Sequence, residues 1–257
     1  MIELRGRGAI ITGTRRFGAI VARRLAREGV RIALTYRSSK DEAEALRAEL
    51  SQLTDRVAVI QADLSDEAQV ERVVQTAKAD LGDLSYLVNM AFDYPRDPLD
   101  TLNAAAWDRG LAGAKANFLL AVHASRVIAQ NEGATKGQLI FFGDWAADET
   151  PYSDFIPYLT GKAAIHFMTR AFGRDLAEQG ILVNCIAPGP TALGIGMSDV
   201  GWARAIGFTP LKRESSADDI AEIVTTLLRT ETVTGEVIRV DSGRHVVGSP
   251  LRDYDPG

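Results

Sequence analysis

Tyr158 and Lys162 stand four positions apart in the stretch Tyr158-Leu159-Thr160-Gly161-Lys162, followed by Ala163-Ala164-Ile165. On a helix, residues at this spacing lie one turn apart on one face, so a phenol and an ammonium converge on one small volume. A nearby ammonium favours the phenolate and draws the tyrosine pKa down from roughly 10, which suits proton exchange with a substrate near neutral pH. The same spacing also describes a helix with a half-buried Tyr and an exposed Lys. The pair alone does not separate these readings; its place in the chain does.

Strands and helices alternate around it. Gly8 to Thr12 reads as a short buried strand, Gly13 to Gly18 as a turn rich in Gly and Arg, and Ala19 to Glu28 as a helix that Gly29 ends. Val30 to Tyr36 is a second strand. Strand, glycine turn, helix, strand is the unit that sets a pyrophosphate at a helix N-terminus, where free N–H groups and the helix dipole favour anions. The alternation continues with helix Lys40–Leu50, strand Val57–Gln61, helix Asp66–Leu81, strand Tyr86–Asn89, helix Leu102–Asn131 and strand Gln138–Phe142. Helix Pro157–Gln179, strand Ile181–Ala187, a helical region around Ala217–Leu228 and strand Glu236–Val240 complete it. This predicts an α/β, Rossmann-like, doubly wound sheet of seven mainly parallel strands with helices on both faces. Residues 1–257 contain no linker or repeat that would divide them, so one domain is expected. Ala146–Pro157 and Pro188–Pro210 follow strand C-termini, where ligands of such sheets bind, and read as mobile loops.

Composition narrows the function classes. With 29 Lys+Arg against 34 Asp+Glu the net charge is -5, and no basic run suggests a nucleic-acid footprint. No apolar run reaches the roughly 18 residues of a membrane span. One cysteine, Cys185, sits in an apolar run and reads as a packing residue. That usage, with no apolar leader before the first strand, leads to an expectation of a soluble, cytoplasmic protein. His123, His166 and His245 lack zinc-ligand spacing, so no metal is expected and all three read as structural or surface residues.

The ordered motifs Thr12-Gly13-Thr14-Arg15-Arg16-Phe17-Gly18, Asp63-Leu64, Asn89-Met90-Ala91, Asn117, Tyr158-x-x-x-Lys162 and Asn184-Cys185-Ile186-Ala187-Pro188-Gly189-Pro190 resemble the short-chain dehydrogenase/reductase family over nearly the whole chain. The resemblance implies a nicotinamide cofactor and hydride transfer to or from a carbonyl, alcohol or imine-like bond. Two departures stand out. The glycine loop is one residue shorter than the family's and carries Arg15 and Arg16, and Phe142-Gly143-Asp144-Trp145 has an aspartate where the family has a serine. Both look like the pteridine reductase branch, in which an arginine enters the glycine loop and an aspartate replaces the serine. Asp144 lies fourteen positions before Tyr158, one more than that pattern, so an insertion is expected between them.

By this resemblance Tyr158, Lys162, Asp144 and Asn117 form the catalytic set, with Asn117 supporting a water that links Lys162 to solvent. Gly13, Thr14, Arg15, Arg16, Phe17 and Gly18 form the phosphate turn, Asp63 and Leu64 hold the adenine, Asn89 and Ala91 close the crevice, and Pro188 and Gly189 flank the nicotinamide. Arg16, Phe92, Tyr94, Asp144, Trp145 and Pro190 face the substrate, with Tyr94 or Phe92 stacking on a pterin ring. Physical alternatives stay open for several: a capping role for Asp63, turn chemistry for Asn89, a plain helix residue at Asn117.

Cofactor choice rests on charge. An NAD site wants a carboxylate on the ribose 2′-hydroxyl, whereas the NADP phosphate wants arginine. The second strand runs into Tyr36-Arg37-Ser38 with no acid before Asp41, so NADPH is expected, with Arg37 and Ser38 as phosphate ligands and Arg15 or Arg16 assisting. Asp144 admits three readings: a proton donor or relay, an acceptor for the ring N–H groups of a pterin, or a solvated loop acid. An NADPH-dependent reductase of a pterin-like C=N substrate is expected. The alternatives are a carbonyl reductase of the 3-oxoacyl thioester or ketone type, and a catalytically impaired NADPH-binding protein. Phe118, Leu119, Leu120, Phe167, Met168 and Phe172 add apolar surface to the two long helices, which suggests a homotetramer or homodimer.

Overall fold

The computed structural model describes residues 1–13, 15, 17–148, 150–192 and 197–247. Seven strands form one sheet: β1 Gly8–Thr12, β2 Arg31–Tyr36, β3 Val57–Gln61, β4 Tyr86–Asn89, β5 Gly137–Phe142, β6 Ile181–Pro188 and β7 Val237–Val240. Their order is β3-β2-β1-β4-β5-β6-β7, and every pairing is parallel. The order reverses beside β1, which leaves a crevice past the C-terminal ends of β1 and β4. Thr12 and Asn89 pair there in register.

The helices are α1 Phe17–Arg27, α2 Lys40–Leu50, α3 Glu67–Leu81, α4 Ala104–Ile128, α5 Ile156–Ala177, α6 Asp199–Gly207, α7 Ala217–Arg229 and the short α8 Arg244–Val247. Central strands are buried on both faces, which is why they read as unbroken apolar runs. Alternate residues supply two separate layers. Ile10, Leu87 and Leu139 join Val73 of α3, Leu120 of α4 and Ile165 of α5 on one face. Ile11, Val88 and Ile140 join Val21 of α1, Leu50 of α2 and Val224 of α7 on the other.

Boundary differences have local causes. Asp66 and Asn103 are caps whose side chains accept the amides of Gln69 and Ala106, so α3 and α4 begin after them. Asn131 lies beyond α4, where its Nδ2 donates to the carbonyls of Leu84 and Lys136 and ties the turn. Pro188–Pro210 is not simply a loop, because α6 lies within it, capped by Ser198 on the amide of Gly201. Gly201 is the one buried residue of α6, so no apolar stripe announced it. Nor is the described part of Ala146–Pro157 an open loop. Phe155 is fully buried and packs with Trp145, Tyr158 and Leu159 in a third small core, with Tyr152 against it.

α4 and α5 approach each other closely. A Cβ on Gly161 would lie 2.5 Å from the Gly110 carbonyl, and one on Gly110 would lie 2.4 Å from Cβ of Pro157. Glycine inside a helix costs about 1 kcal/mol relative to alanine. Here a methyl group would push apart the helices that aim Tyr158 and Lys162.

Candidate active site

α5 presents Tyr158, Lys162 and His166 at successive turns, all nearly or fully buried. Opposite them β5 ends in Phe142, and Gly143-Asp144 turns the chain toward α5. The Tyr158 hydroxyl donates to Asp144 Oδ2 at 2.9 Å, the Tyr152 hydroxyl donates to the same oxygen at 3.1 Å, and the Ala146 amide donates to Oδ1 at 2.9 Å. Lys162 Nζ donates to the Phe142 carbonyl at 2.8 Å and sits 4.1 Å from the centroid of the Phe92 ring. Asp144 N–H donates to His166 Nε2 at 3.4 Å, so the ring proton lies on Nδ1, which donates to Asp148 Oδ2 at 2.9 Å. His166, read from its lack of zinc-ligand spacing as a structural or surface residue, is buried and holds the backbone of Asp144.

This arrangement corrects one expectation. The ammonium was to lower the Tyr158 pKa; instead burial, then the Asp144 carboxylate, holds that phenol well above its usual range. Tyr152 is raised for the same two reasons. Burial also raises Asp144, opposed by the Ala146 amide and Lys162. Lys162 is brought down to about 8 by burial, opposed by Asp144. The Asp144 carboxylate thus puts a negative charge against the phenol and makes it a reluctant phenolate. Buried Cys185 is pushed up to about 12, in keeping with a packing role.

A cavity of about 630 Å³ opens past the strand C-termini and reaches this cluster. Gly13, Arg15, Arg37, Ser38, Asp63, Leu64, Ala91, Pro188 and Gly189 line its outer part. Gly13 has φ +68°, and a Cβ there would lie 2.7 Å from the Met90 carbonyl carbon, so the β1 turn is pressed against the β4 end. Thr12 Oγ1 accepts the amides of Met90 and Ala91 at 3.0 and 2.9 Å and donates to Asn89 Oδ1. Asn89 lies behind the cavity wall. Asp63 accepts the Ser65 amide and hydroxyl at 2.9 and 2.7 Å, which closes the turn before α3 while its residue still lines the cavity. Arg37 pairs with Asp93 at 3.6 Å and Arg15 with Glu42 at 3.1 Å; all four side chains are exposed, and such pairs bind weakly. Gly18 is buried at the start of α1. Thr14, Arg16 and the side chain of Phe17 lie outside the described residues.

Phe92, Tyr94, Asp144, Trp145 and Pro190 line the inner part with Tyr158 and Lys162. Phe92 meets Tyr158 edge-on at 5.5 Å, and the carbon positions of its ring leave no room for a Cβ on Gly113. With Lys162 over it, this ring forms part of the cavity wall. Tyr94 is partly exposed and stacks on Phe155 at 4.5 Å. Asn117 donates from Nδ2 to the Gly113 carbonyl at 2.8 Å, and its Oδ1 is a buried acceptor with no partner among the described residues. The inner wall also includes Tyr152, Phe155, Arg109, Trp202 and Arg244, which the linear sequence did not single out. Arg244 follows β7 and stacks between Trp145 and Phe208 at 5.2 and 4.9 Å, a neighbourhood that only the sheet order creates.

The residues present fit a nicotinamide dinucleotide. Gly13 lines the cavity past the end of β1, and Arg15, Arg37 and Ser38 on the same lining offer donors for phosphate groups. Gly13→Ala is expected to lower dinucleotide affinity at least tenfold, since the left-handed backbone and the Met90 contact cost about 1–3 kcal/mol. Titration calorimetry against wild type measures it.

A doubly wound parallel sheet with this crevice and a buried Tyr–Lys pair defines a dinucleotide-dependent oxidoreductase. Sequence comparison narrows the class. A family model described as enoyl-(acyl carrier protein) reductase matches residues 13–245. A short-chain type dehydrogenase/reductase of Picea abies is 28% identical, the match covering 94% of this chain and 93% of the relative. A dehydrogenase/reductase from Sinorhizobium meliloti 1021 superposes with TM-score 0.87 at 31% identity, covering 94% of this chain and 96% of that one. The FolM alternative dihydrofolate reductase 1 of Brucella canis, complexed with NADP, superposes with TM-score 0.86 at 27% identity, covering 97% and 98%. The chain belongs to the short-chain dehydrogenase/reductase family and is an oxidoreductase that uses a nicotinamide cofactor.

Proposed function

We propose that this protein is an NADPH-dependent reductase of a pterin-like or related N-heterocyclic C=N substrate, acting through residues 1–257 as one domain. The observation that carries the reading is the Asp144 carboxylate in hydrogen bond with the Tyr158 hydroxyl. A carboxylate accepts paired ring N–H groups such as those of a 2-amino-pyrimidinone, whereas a ketone oxygen needs a donor. The similarity to an alternative dihydrofolate reductase points the same way. Bound, the nicotinamide supplies the hydride. Tyr158 is the proton donor, Asp144 orients the ring and exchanges protons with Tyr158, and Lys162 supports the ribose while its charge offsets that of Asp144. Phe92, Trp145 and Phe155 exclude water around them.

Arg37 and Ser38 at the end of β2, with no carboxylate on that strand, support NADPH over NADH. Arg37→Asp is expected to reduce the NADPH/NADH preference at least tenfold, read as a ratio of kcat/KM values. The alternative reading is a carbonyl reductase of the 3-oxoacyl thioester or ketone type; the name of the matching family model points to an acyl-carrier substrate but to an enoyl bond as the one reduced. A screen of NADPH oxidation with dihydropterins, dihydrofolate, acyl thioesters and ketones separates the two. Turnover of acetoacetyl thioesters with none of any dihydropterin would overturn the pterin reading.

A homotetramer is part of the proposal. Trp107 and Phe118 on α4 and Phe167 on α5 are exposed, whereas Leu119 and Leu120 are buried in the core and Met168 and Phe172 pack against it. A monomeric mass in solution would refute assembly through these helices.

A further inference from the structure

Asn117 was expected to support a water that links Lys162 to solvent, and neither of these residues hydrogen-bonds the Tyr158 hydroxyl among the described residues. Lys162 Nζ is held on the Phe142 carbonyl and over Phe92, 5.7 Å from the Tyr158 ring centroid, and Asn117 Nδ2 is held on Gly113. The bonded neighbour of the Tyr158 hydroxyl is Asp144 Oδ2, and the second donor on that oxygen is Tyr152. Tyr152 meets Tyr94 edge-to-face at 6.5 Å. Tyr94 is 42% exposed, while Tyr158 is 7% exposed.

We propose that Tyr158, Asp144, Tyr152 and Tyr94 form a proton-return path from the reacting phenol to solvent along the substrate side of the cavity, with Asp144 Oδ2 as its pivot. The path rests on the proton-donor role of Tyr158 and not on the identity of the substrate. When the Tyr158 O–H bond breaks and its proton bonds to substrate, the electron pair stays on the phenolate oxygen. Asp144 Oδ2 takes the proton of Tyr152 and hands it to Tyr158, and Tyr152 is reprotonated through Tyr94 from water. Each oxygen loses one proton and gains one, so the net reaction consumes one solvent proton and no other reactant. Because both phenols address the same carboxylate oxygen, the carboxyl group need not rotate.

The groups facing this pivot support transfer over storage. Tyr158, Lys162 and the His166 ring face Asp144 from α5, Tyr152 and the Ala146 amide face it from the segment after β5, and Tyr94 reaches it through Tyr152. Burial raises the Asp144 carboxyl, so it takes up a proton more readily than a carboxylate in water does.

Tyr152→Phe keeps a ring between Trp145 and Phe155, at 6.1 and 5.1 Å, and removes the hydroxyl alone. Its first turnover in a rapid-mixing experiment is expected within about twofold of wild type, because Tyr158 starts with its own proton. Steady-state kcat is expected to fall roughly tenfold with a larger solvent deuterium effect. Tyr94→Phe is expected to act in the same direction. A role in merely positioning Asp144 would slow first and later turnovers alike, and that result, or an unchanged kcat, would overturn the path. A second readout needs neither substrate nor cofactor: the infrared carbonyl band of protonated Asp144, assigned by its loss in Asp144→Asn. Losing one donor to the carboxylate is expected to raise the midpoint of that band by about one pH unit in Tyr152→Phe. An unmoved midpoint would show that Tyr152 is not coupled to Asp144. If no dihydropterin is a substrate, the kinetic comparison runs with the ketone or thioester that is, so the two proposals fail separately.

Discussion

Tyr158→Phe is expected to lower kcat by roughly 10³ while leaving dinucleotide affinity within about twofold, because a positioned general acid contributes about 10²–10⁴ to rate and the ring contacts survive. The phenol touches Phe92, Tyr94 and Phe155 through its ring, and only its hydroxyl reaches Asp144. Steady-state rates and a fluorescence titration with NADPH separate the two effects, and loss of binding in parallel with rate would show a packing defect instead. The pH profile adds a sign. Burial raises the Tyr158 pKa first, and the Asp144 charge raises it further, so Tyr158 keeps its proton to high pH and the rate falls only as pH climbs through that value. Asp144→Asn removes the charge but not the burial. Its alkaline limb is expected to move to lower pH, and a limb that moves up or stays in place would contradict the electrostatic account.

The sheet and the catalytic helix were legible for one reason: strands buried on both faces and helices with an apolar face write their periodicity into the chain. β4 was read without error because every residue of Tyr86–Asn89 is buried. α6 was not, because eight of its nine residues are not buried and its cap, Ser198, resembles any loop serine. The site divides in the same way. Tyr158 and Lys162 share a helix face, so their proximity follows from spacing alone. The fourteen-position spacing from Asp144 to Tyr158 was visible, but what the segment does was not: Tyr152 reaches Asp144 beside the buried Phe155, and burial of one residue in a Pro- and Asp-rich stretch leaves no periodic trace. Arg244 lies about a hundred positions from Trp145 and meets it only because β5, β6 and β7 are neighbours in the sheet. The direction of the Tyr158 pKa was misjudged for a geometric reason. Spacing places an ammonium near a phenol, but it does not say that the ammonium is turned onto Phe142 and Phe92 while a carboxylate takes the hydroxyl.

Lys162→Met is expected to make the cofactor-free protein more stable at pH 7, by about 2 kcal/mol, while lowering activity by roughly 10² or more. Lys162 is 5% exposed, and burial, opposed by Asp144 and Cys185, brings its pKa from 10.5 to about 8. Above pH 10.5 the amine is neutral in both the folded and the unfolded chain. As the pH falls from there to about 8, the unfolded chain takes up a proton that the folded chain does not, and stability drops by about 1.4 kcal/mol per unit. Below about 8 both forms are charged and the loss, about 3 kcal/mol in all, is complete. Methionine fills a similar volume without that penalty but forfeits the hydrogen bond to the Phe142 carbonyl, about 1 kcal/mol. Urea denaturation of both proteins should therefore show the variant ahead at pH 7, with its lead shrinking and then reversing as the pH approaches 10.5. A variant less stable than wild type at pH 7 would mean that the Phe142 carbonyl and Phe92 ring more than compensate the buried charge. A lead at pH 7 would show that the fold holds Lys162 where function needs it at the expense of its own stability.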